Sequence, residues 1–600
     1  MSAQTPDGTD DPPRRTPEEA EREARERLDA LLAAAEEDGT DDVAAAPGGA
    51  GGTTGAGGAP GGTGDAEETG LRALLSSSLI AGPDPTVADE LLEDDELDDD
   101  EADDDDLGVW AEDEASDEDD EAAGRARAGG GRPGSRGGRP ATDDAARAAA
   151  VADAQAEEEV RQIYRDILTR APEHDVQPSL DRVRDVLELL GDPQRAYPVI
   201  HLTGTNGKTS TARMIEQLLR ERGLRTGRFT SPHLHTVRER IALDGEPIAP
   251  AAFVSTWAEV APYIALVDER SQAAGGPRLS FFEVFTVMAY AAFADAPVDV
   301  AVVEVGMGGR WDATNVADGE VAVLTTVERD HERWLGHALT DIAGEKVGII
   351  KDRATVVVAA QHEEVDGVVH TAAATHGARL LREGAELAVL DRQVGVGGQM
   401  VTLRTPAAVY EDVFVPLHGA HQARNALLAL AAVEAFFGGG ALDAGLVEQG
   451  FAGVSSPARL EVVRRSPTVL VDAAHNPAGV DALREAVEEA FDFHRLVGVV
   501  GVMADKDAEA ILAGLEPFLA EVVVTRASTE RAMDAEDLGE IARDVFGEDR
   551  VQVAEGLAEA IDLAAARAEA DTSEVMTSTG VLVVGSVLLA AEARAMLRRG

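Results

Sequence analysis

Pro198-Val199-Ile200-His201-Leu202-Thr203-Gly204-Thr205-Asn206-Gly207-Lys208-Thr209-Ser210 is the stretch on which the reading of this chain turns. A short apolar run predicts a buried strand. A loop containing Gly204 and Gly207 follows, and Thr209 to Arg222 then carries Met214, Ile215, Leu218 and Leu219 at helical spacing. Strand, glycine loop, Gly-Lys-Thr and helix in that order describe a phosphate-binding loop. Unpaired N–H groups at the helix start point at phosphate oxygens, and the helix dipole favours negative charge there. Lys208 then neutralises the β- and γ-phosphates, and the Thr209 hydroxyl reaches Mg²⁺. The general loop has glycine where this chain has Thr203, so the loop is the shorter Thr-Gly-Thr-Asn-Gly-Lys form.

Working outward, the chain has four lysines, Lys208, Lys346, Lys351 and Lys506, among 53 basic residues. A chain that uses arginine almost everywhere keeps lysine where a compact ammonium or a reactive amine is needed, which draws attention to the other three. Net charge is −59, from 112 acidic against 53 basic residues, which argues against sequence-independent nucleic-acid binding. Cysteine is absent, which excludes disulfides, thiolate metal sites and cysteine nucleophiles. No apolar run reads as a membrane span, and Met1 to Arg15 lacks a signal-peptide core. A cytoplasmic protein of several domains is the expectation.

Residues 1–153 read as a disordered, low-complexity acidic tail. Thr16 to Glu37 is a charged helix candidate with a thin apolar stripe, and Gly48 to Gly64 is linker-like. Glu93 to Glu121 holds about twenty acidic residues, a block that repels itself and buries no core. Folded sequence is expected from Ala154. Helices are predicted at Glu157 to Leu168, Leu180 to Leu190, Phe281 to Phe293 and His421 to Phe437, and strands at Thr226 to Thr230, Val298 to Val305, Val321 to Val327 and Ala354 to Ala359. Strands apolar throughout, alternating with helices, predict an α/β fold whose mostly parallel sheet is covered on both faces. A second α/β unit, Rossmann-like, is expected over 456–600, with strands at Thr468 to Val471, Leu496 to Val502, Glu521 to Thr525 and Val581 to Val584.

Open α/β sheets place ligands beyond the carboxyl ends of their strands. Ser231, Glu304 and His331 fall at successive strand ends beside the phosphate loop, and oxygen and nitrogen donors gathered there predict a Mg²⁺ site. The series Thr203-Gly204-Thr205-Asn206-Gly207-Lys208, Ser231-Pro232-His233-Leu234, Glu239-Arg240-Ile241, Glu304-Val305-Gly306, Gly308-Gly309-Arg310, Asp312-Ala313-Thr314-Asn315, Asp330-His331, Glu345-Lys346 and Asp472-Ala473-Ala474-His475-Asn476-Pro477 resembles the folylpolyglutamate synthase/dihydrofolate synthase family of Mur ligases. The resemblance spans roughly Gln177 to Ser586. Thr209 stands where the folate branch often has glycine, and Ala458 precedes Arg459 where glycine is common.

The resemblance implies a two-domain ligase, divided at about residue 455, with ATP and Mg²⁺ between a P-loop domain and a C-terminal domain. By motif, Thr205, Asn206, Gly207, Lys208 and Thr209 hold the phosphates, and Asn425, Arg459 and Asp472 contact ATP, with His475 nearby. Ser231, Glu304 and His331 hold the metal, and Lys208, Lys346 and His331 serve catalysis. Lys346 carries a carbamate (N6-carboxylysine). Pterin-substrate contacts fall on Gln177, Pro178 and Ser179, on Ser280, Phe281, Phe282 and Glu283, and on Trp311, Asp312 and Ala313. The implied partners are small molecules only, namely ATP, L-glutamate and a folate or dihydropteroate. Neither nucleic acid nor membrane is implied, and the protein is expected to be a monomer. A Mur-type ligase of peptidoglycan precursors, favoured by Thr209, and a P-loop nucleotide switch with a partner-binding tail remain the alternatives. Against the Mur alternative, the low-complexity tail leaves no room for a folded UDP-binding domain before the loop.

Overall fold

The computed structural model describes residues 141–172, 178–570 and 578–598. The tail expectations over residues 1–140, including the helix at Thr16 to Glu37, lie outside the described residues, and so does Gln177. The first described helix, Ala141–Leu168, reaches back into the stretch read as tail. Its last turns bury Val160, Ile163, Tyr164 and Ile167.

The first sheet has eight strands: β1 (Val199–Thr203), β2 (Thr226–Phe229), β3 (Ile241–Leu243), β4 (Glu246–Pro247), β5 (Val300–Glu304), β6 (Gly319–Leu324), β7 (Thr355–Val358) and β8 (Arg379–Arg382). Their order is β4-β3-β2-β5-β1-β6-β7-β8. All pairs are parallel except β2–β3 and β3–β4. β1 and β5 are buried at every position because helices cover both faces. Alternation assigns the faces. Ile200 and Leu202 pack with Met214, Leu218, Leu427 and Leu430 of the helices Lys208–Glu221 and Ala420–Phe436. Val199, Ala301 and Val303 pack with Phe281, Phe285 and Met288 of the helix Phe281–Asp295. β1 lies between β5 and β6, so the phosphate loop leaves the sheet at its middle, where the loops after β5 and β6 also emerge.

A three-stranded antiparallel sheet follows, β9 (Ala388–Gly395), β10 (Gly398–Arg404) and β11 (Val409–Val415), which the sequence reading did not anticipate. The second domain carries β12 (Glu461–Arg465), β13 (Thr468–Val471), β14 (Arg495–Val500), β15 (Glu521–Val524), β16 (Val551–Val553) and β17 (Thr579–Val584) in the order β12-β13-β17-β14-β15-β16. All but the β12–β13 pair are parallel. One sequence expectation needs correcting. The helix Pro250–Ala273 is long and apolar enough, by length and composition, to cross a membrane. Its Phe253, Val260, Tyr263, Ile264 and Val267 are nevertheless buried in the first domain's core, and Asp268 on the same helix pairs with Arg170 at 2.8 Å.

Candidate active site

The phosphate loop is shaped by two close approaches. Gly204 has φ 149°, and a Cβ there would lie 1.8 Å from Thr325 Oγ1. Gly207 has φ 86°, and a Cβ there would lie 2.7 Å from Asn425 Oδ1. No larger residue fits either place. Thr205 is tied to the loop after β6, its N–H to Thr326 O at 2.7 Å and its hydroxyl to Glu328 O at 3.0 Å. No side chain caps the start of the helix Lys208–Glu221, which leaves its first N–H groups to an anion. Lys208 Nζ donates to Gly204 O (3.2 Å) and Thr205 O (3.1 Å), folded onto its own loop. Burial lowers its pKa, and Glu304 and Asp330 oppose the shift.

Lys346 closes the helix Leu339–Lys346 and is 3% exposed. Its Nζ donates to the same Gly204 carbonyl at 2.7 Å. Burial and then Lys208 push its pKa down to about 7. Arg310 N donates to Glu345 O at 2.9 Å, and a Cβ on Gly309 would come within 2.8 Å of the Lys346 carbonyl. The Gly308-Gly309-Arg310 loop is thus moulded to the end of that helix.

Glu304, ending β5, accepts from the Thr209 hydroxyl at 3.0 and 2.9 Å and from the Ser231 backbone. Burial raises its pKa, and Lys208 pulls the other way. His331 Nδ1 is buried without a hydrogen bond, and burial holds the imidazole well below its usual pKa. A neutral imidazole with an unused nitrogen and a carboxylate already gathering hydroxyl donors fit a cation. Among the described residues no three His, Asp or Glu side chains form a metal cage. A set of one carboxylate, one imidazole and a hydroxyl suits Mg²⁺, which keeps waters and takes substrate phosphate oxygens.

Arg459 and Asp472 come from the second domain and line the same cleft, of about 300 Å³, with Lys208, Glu304, His331 and Asn425. Asp472 accepts Leu460 N and Ala474 N, both at 2.7 Å. This holds the turn around Arg459, where Ala458 (φ 56°) and Leu460 (φ 45°) both lie in the left-handed region. The glycine that the family resemblance leads one to expect at 458 would meet this left-handed backbone without strain. Asn425 Nδ2 donates to Gln422 Oε1 at 3.1 Å while its amide rests against Gly207. Asn206 turns its side chain away from the loop to Asn476, so its backbone N–H is what remains for a phosphate.

The stretches expected to contact a pterin lie outside this cleft and join it at Gly306. Ser280 and Glu283 form a capping box, and Glu283 also accepts from Arg182 at 2.9 Å. Phe281 lies under the Arg240 guanidinium at 4.9 Å. Phe282 packs on Gly306, where a Cβ would come within 2.6 Å of its ring. Asp312 accepts from Met307 N and from the N–H and hydroxyl of Thr314. Those bonds hold the loop after β5 in shape and use its carboxylate internally. Ala313 is buried, Trp311 packs beside Leu335, and Pro178 and Ser179 border the undescribed Gln177. Sequence reasoning gave no role to Asp330, Asn476 or Lys506, which meet across the cleft, although the scarcity of lysine had marked Lys506.

Two family models match: Mur ligase, middle domain, over residues 264–433, and Mur ligase, glutamate ligase domain, over residues 458–587. The chain is 51% identical over 448 residues to the dihydrofolate synthase/folylpolyglutamate synthase of Mycobacterium tuberculosis, covering 72% of this chain and 92% of that one. It belongs to the folylpolyglutamate synthase/dihydrofolate synthase family. Among solved members of that family, M. tuberculosis folylpolyglutamate synthase complexed with ADP and AMPPCP superposes with TM-score 0.70 at 49% identity, covering 74% of this chain and 99% of that one. An FPGS–AMPPCP–folate complex superposes with TM-score 0.63 at 31% identity, covering 73% and 99%. The α/β fold with a mostly parallel sheet and a second α/β domain is therefore the fold of this family.

Proposed function

We infer that this chain is an ATP-dependent ligase that adds L-glutamate to the carboxylate of a folate or of dihydropteroate. The observation that carries the reading is the phosphate loop with two lysines, one half-buried and one buried, on one carbonyl, beside Glu304 and His331, in a chain 51% identical to a dihydrofolate synthase/folylpolyglutamate synthase. The acceptor carboxylate attacks the γ-phosphorus of ATP, ADP leaves, and an acyl phosphate forms. The α-amine of glutamate then attacks the acyl carbon, and inorganic phosphate departs. Phosphorylation turns a poor leaving group into a good one, so the protein needs no nucleophile of its own. Its work is positioning and charge neutralisation.

We assign the phosphates to the N–H groups of Thr205 to Thr209 and to Lys208, and the remaining nucleotide contacts to Asn425, Arg459 and Asp472. Ser231, Glu304 and His331 would hold Mg²⁺, which supplies charge neutralisation at the phosphates. Lys346, its pKa lowered to about 7, is partly neutral amine near that pH, which suits carbamate formation with CO₂. Pterin contacts are assigned to the region of Ser280–Glu283 and Trp311–Ala313. The domains divide at about residue 455, between the two matched family segments. Incubation with ATP, Mg²⁺, glutamate and one acceptor at a time tests the reading. Dihydropteroate, a reduced folate or both support glutamate-dependent phosphate release if it holds. Release with a UDP-muramoyl acceptor alone, or with no acceptor, contradicts it.

A further inference from the structure

One side chain of the second domain has all its hydrogen-bonding capacity in use at the phosphate loop. Asn476 and Asn206, 270 residues apart, face each other as a reciprocal amide pair, each Nδ2 donating to the other's Oδ1 at 3.1 Å. Asn476 Oδ1 also accepts from Gly479 N at 2.8 Å as the N-cap of the helix Pro477–Ala490. Asn476 Nδ2 also donates to Asp330 Oδ2 at 3.1 Å. The Gly479 N–H requires an oxygen at its end and the Asp330 carboxylate requires a donor at the other, so the environment fixes the amide's orientation. Asn476 is 4% exposed.

Other contacts join the domains. Arg392 meets Glu489 at 2.6 Å and His235 meets Arg594, both away from the phosphate loop. Lys506 meets Asp330 at 2.7 Å. On the cleft's own loops, the asparagine pair ends on Asn206, while Lys506, His475 (3.8 Å) and Asn476 itself end on Asp330, beside His331.

We propose that Asn476 is a positioning residue, a latch that registers the glutamate-ligase domain on the phosphate loop. It fixes Arg459, which lies just before β12, and Asp472, which follows β13, relative to Lys208 and His331. Through Asn206 it also holds the loop's side chain off the phosphate site, leaving the backbone N–H to face it. An asparagine serves here where an aspartate cannot. Aspartate caps a helix equally well, but it has no donor for Asn206 Oδ1 and sets a second carboxylate against Asp330. The effect on turnover rests on the ligase reading, whereas the effect on domain registration does not.

Asn476→Asp separates the latch from the cap. The chain has no cysteine, so a spin-label pair at Glu221→Cys and Glu540→Cys, exposed positions on helices of the two domains, reports the interdomain distance without background. We expect Asn476→Asp to melt like the parent and to broaden the distance distribution. We also expect it to lower kcat/KM by at least about tenfold, from lost hydrogen bonds and a like-charge contact. Asp330→Asn placed in the same chain returns a donor to position 330, and the double variant is expected to narrow the distribution again. An unchanged distance distribution in Asn476→Asp overturns the proposal, whether or not activity falls. If Asn476→Asp fails to fold, Asn206→Ala, which leaves the cap untouched, is read by the same distances, and an unchanged distribution there overturns it equally.

Discussion

The ammonium groups of Lys208 and Lys346 converge on one acceptor, the carbonyl of Gly204, at 3.2 and 2.7 Å. Burial is the largest cause lowering both pKa values, and for Lys346 the nearby Lys208 cation adds to it. Lys208 has Glu304 and Asp330 to offset the burial. Lys346 has Lys208 acting on it in the same direction as burial, and its pKa falls to about 7. One carbonyl of the phosphate loop therefore accepts from Lys208 at the phosphates and from Lys346 of the helix Leu339–Lys346, whose lowered pKa suits reaction as a free amine.

Lys346→Ala is expected to be inactive and to regain part of its turnover with acetate or formate, small carboxylates that replace the carbamate. The neutral amine that takes up CO₂ becomes the majority form as pH rises through about 7, so at fixed bicarbonate the parent's turnover rises across that pH. Below it the amine is protonated and turnover falls. A pH profile of kcat at constant bicarbonate checks the direction, and full activity in Lys346→Arg would argue against a carbamate.

Lys208→Ala is expected to keep the fold and lose about 10²- to 10³-fold in kcat, the usual cost of one contact to charge developing in a transition state. Its ammonium bonds only to loop carbonyls here, so circular dichroism and melting temperature should barely move. Near-parent kcat in the folded variant would remove Lys208 from the reaction.

Ala458 provides a test of backbone strain at the nucleotide cleft. A non-glycine residue in the left-handed region costs about 1–2 kcal/mol. Glycine gives back roughly 0.5–1 kcal/mol in unfolded-chain freedom and about 0.8 kcal/mol in one buried methyl. Ala458→Gly should therefore be neutral within about 1 kcal/mol. Ala458→Val, with a β-branched side chain at φ 56°, should lose more than about 2 kcal/mol. Urea midpoints of the two variants decide the matter.

What could be read in the sequence was local. The strand, glycine loop and helix around Lys208 each carry a signal within a few residues, and the helix begins at Lys208, one residue before the expected Thr209. Continuous apolar runs such as Val300–Glu304 marked the parallel strands for the same reason. The sheet β9–β11 was missed because its strands mix polar with apolar residues and β9 is largely exposed, with Asp391, Arg392 and Gln393 in succession. Asn476 stood in a recognised motif, but its partner lies 270 residues earlier, and no periodicity reports such a pair. Ala458 was visible as a departure from glycine, yet its left-handed backbone was not.

Removal of residues 1–140 should leave kcat/KM within about twofold of the parent. The acidic composition there gives it little to add to a core, and the match to the M. tuberculosis relative covers 92% of that protein with 72% of this chain. Cutting on through Leu168 deletes Val160, Ile163, Tyr164 and Ile167 from the core and should cost several kcal/mol, at about 2–5 for each large side chain lost. Thermal melts of the two truncations should differ accordingly.

The acyl phosphate is the centre of this account, and isotope transfer reads it directly. A folate or dihydropteroate acceptor labelled with heavy oxygen in its reacting carboxylate is turned over with ATP, Mg²⁺ and glutamate, and the released phosphate is analysed by mass spectrometry. The account predicts one heavy oxygen carried from the carboxylate into each inorganic phosphate. Amide product formed with unlabelled phosphate would contradict it.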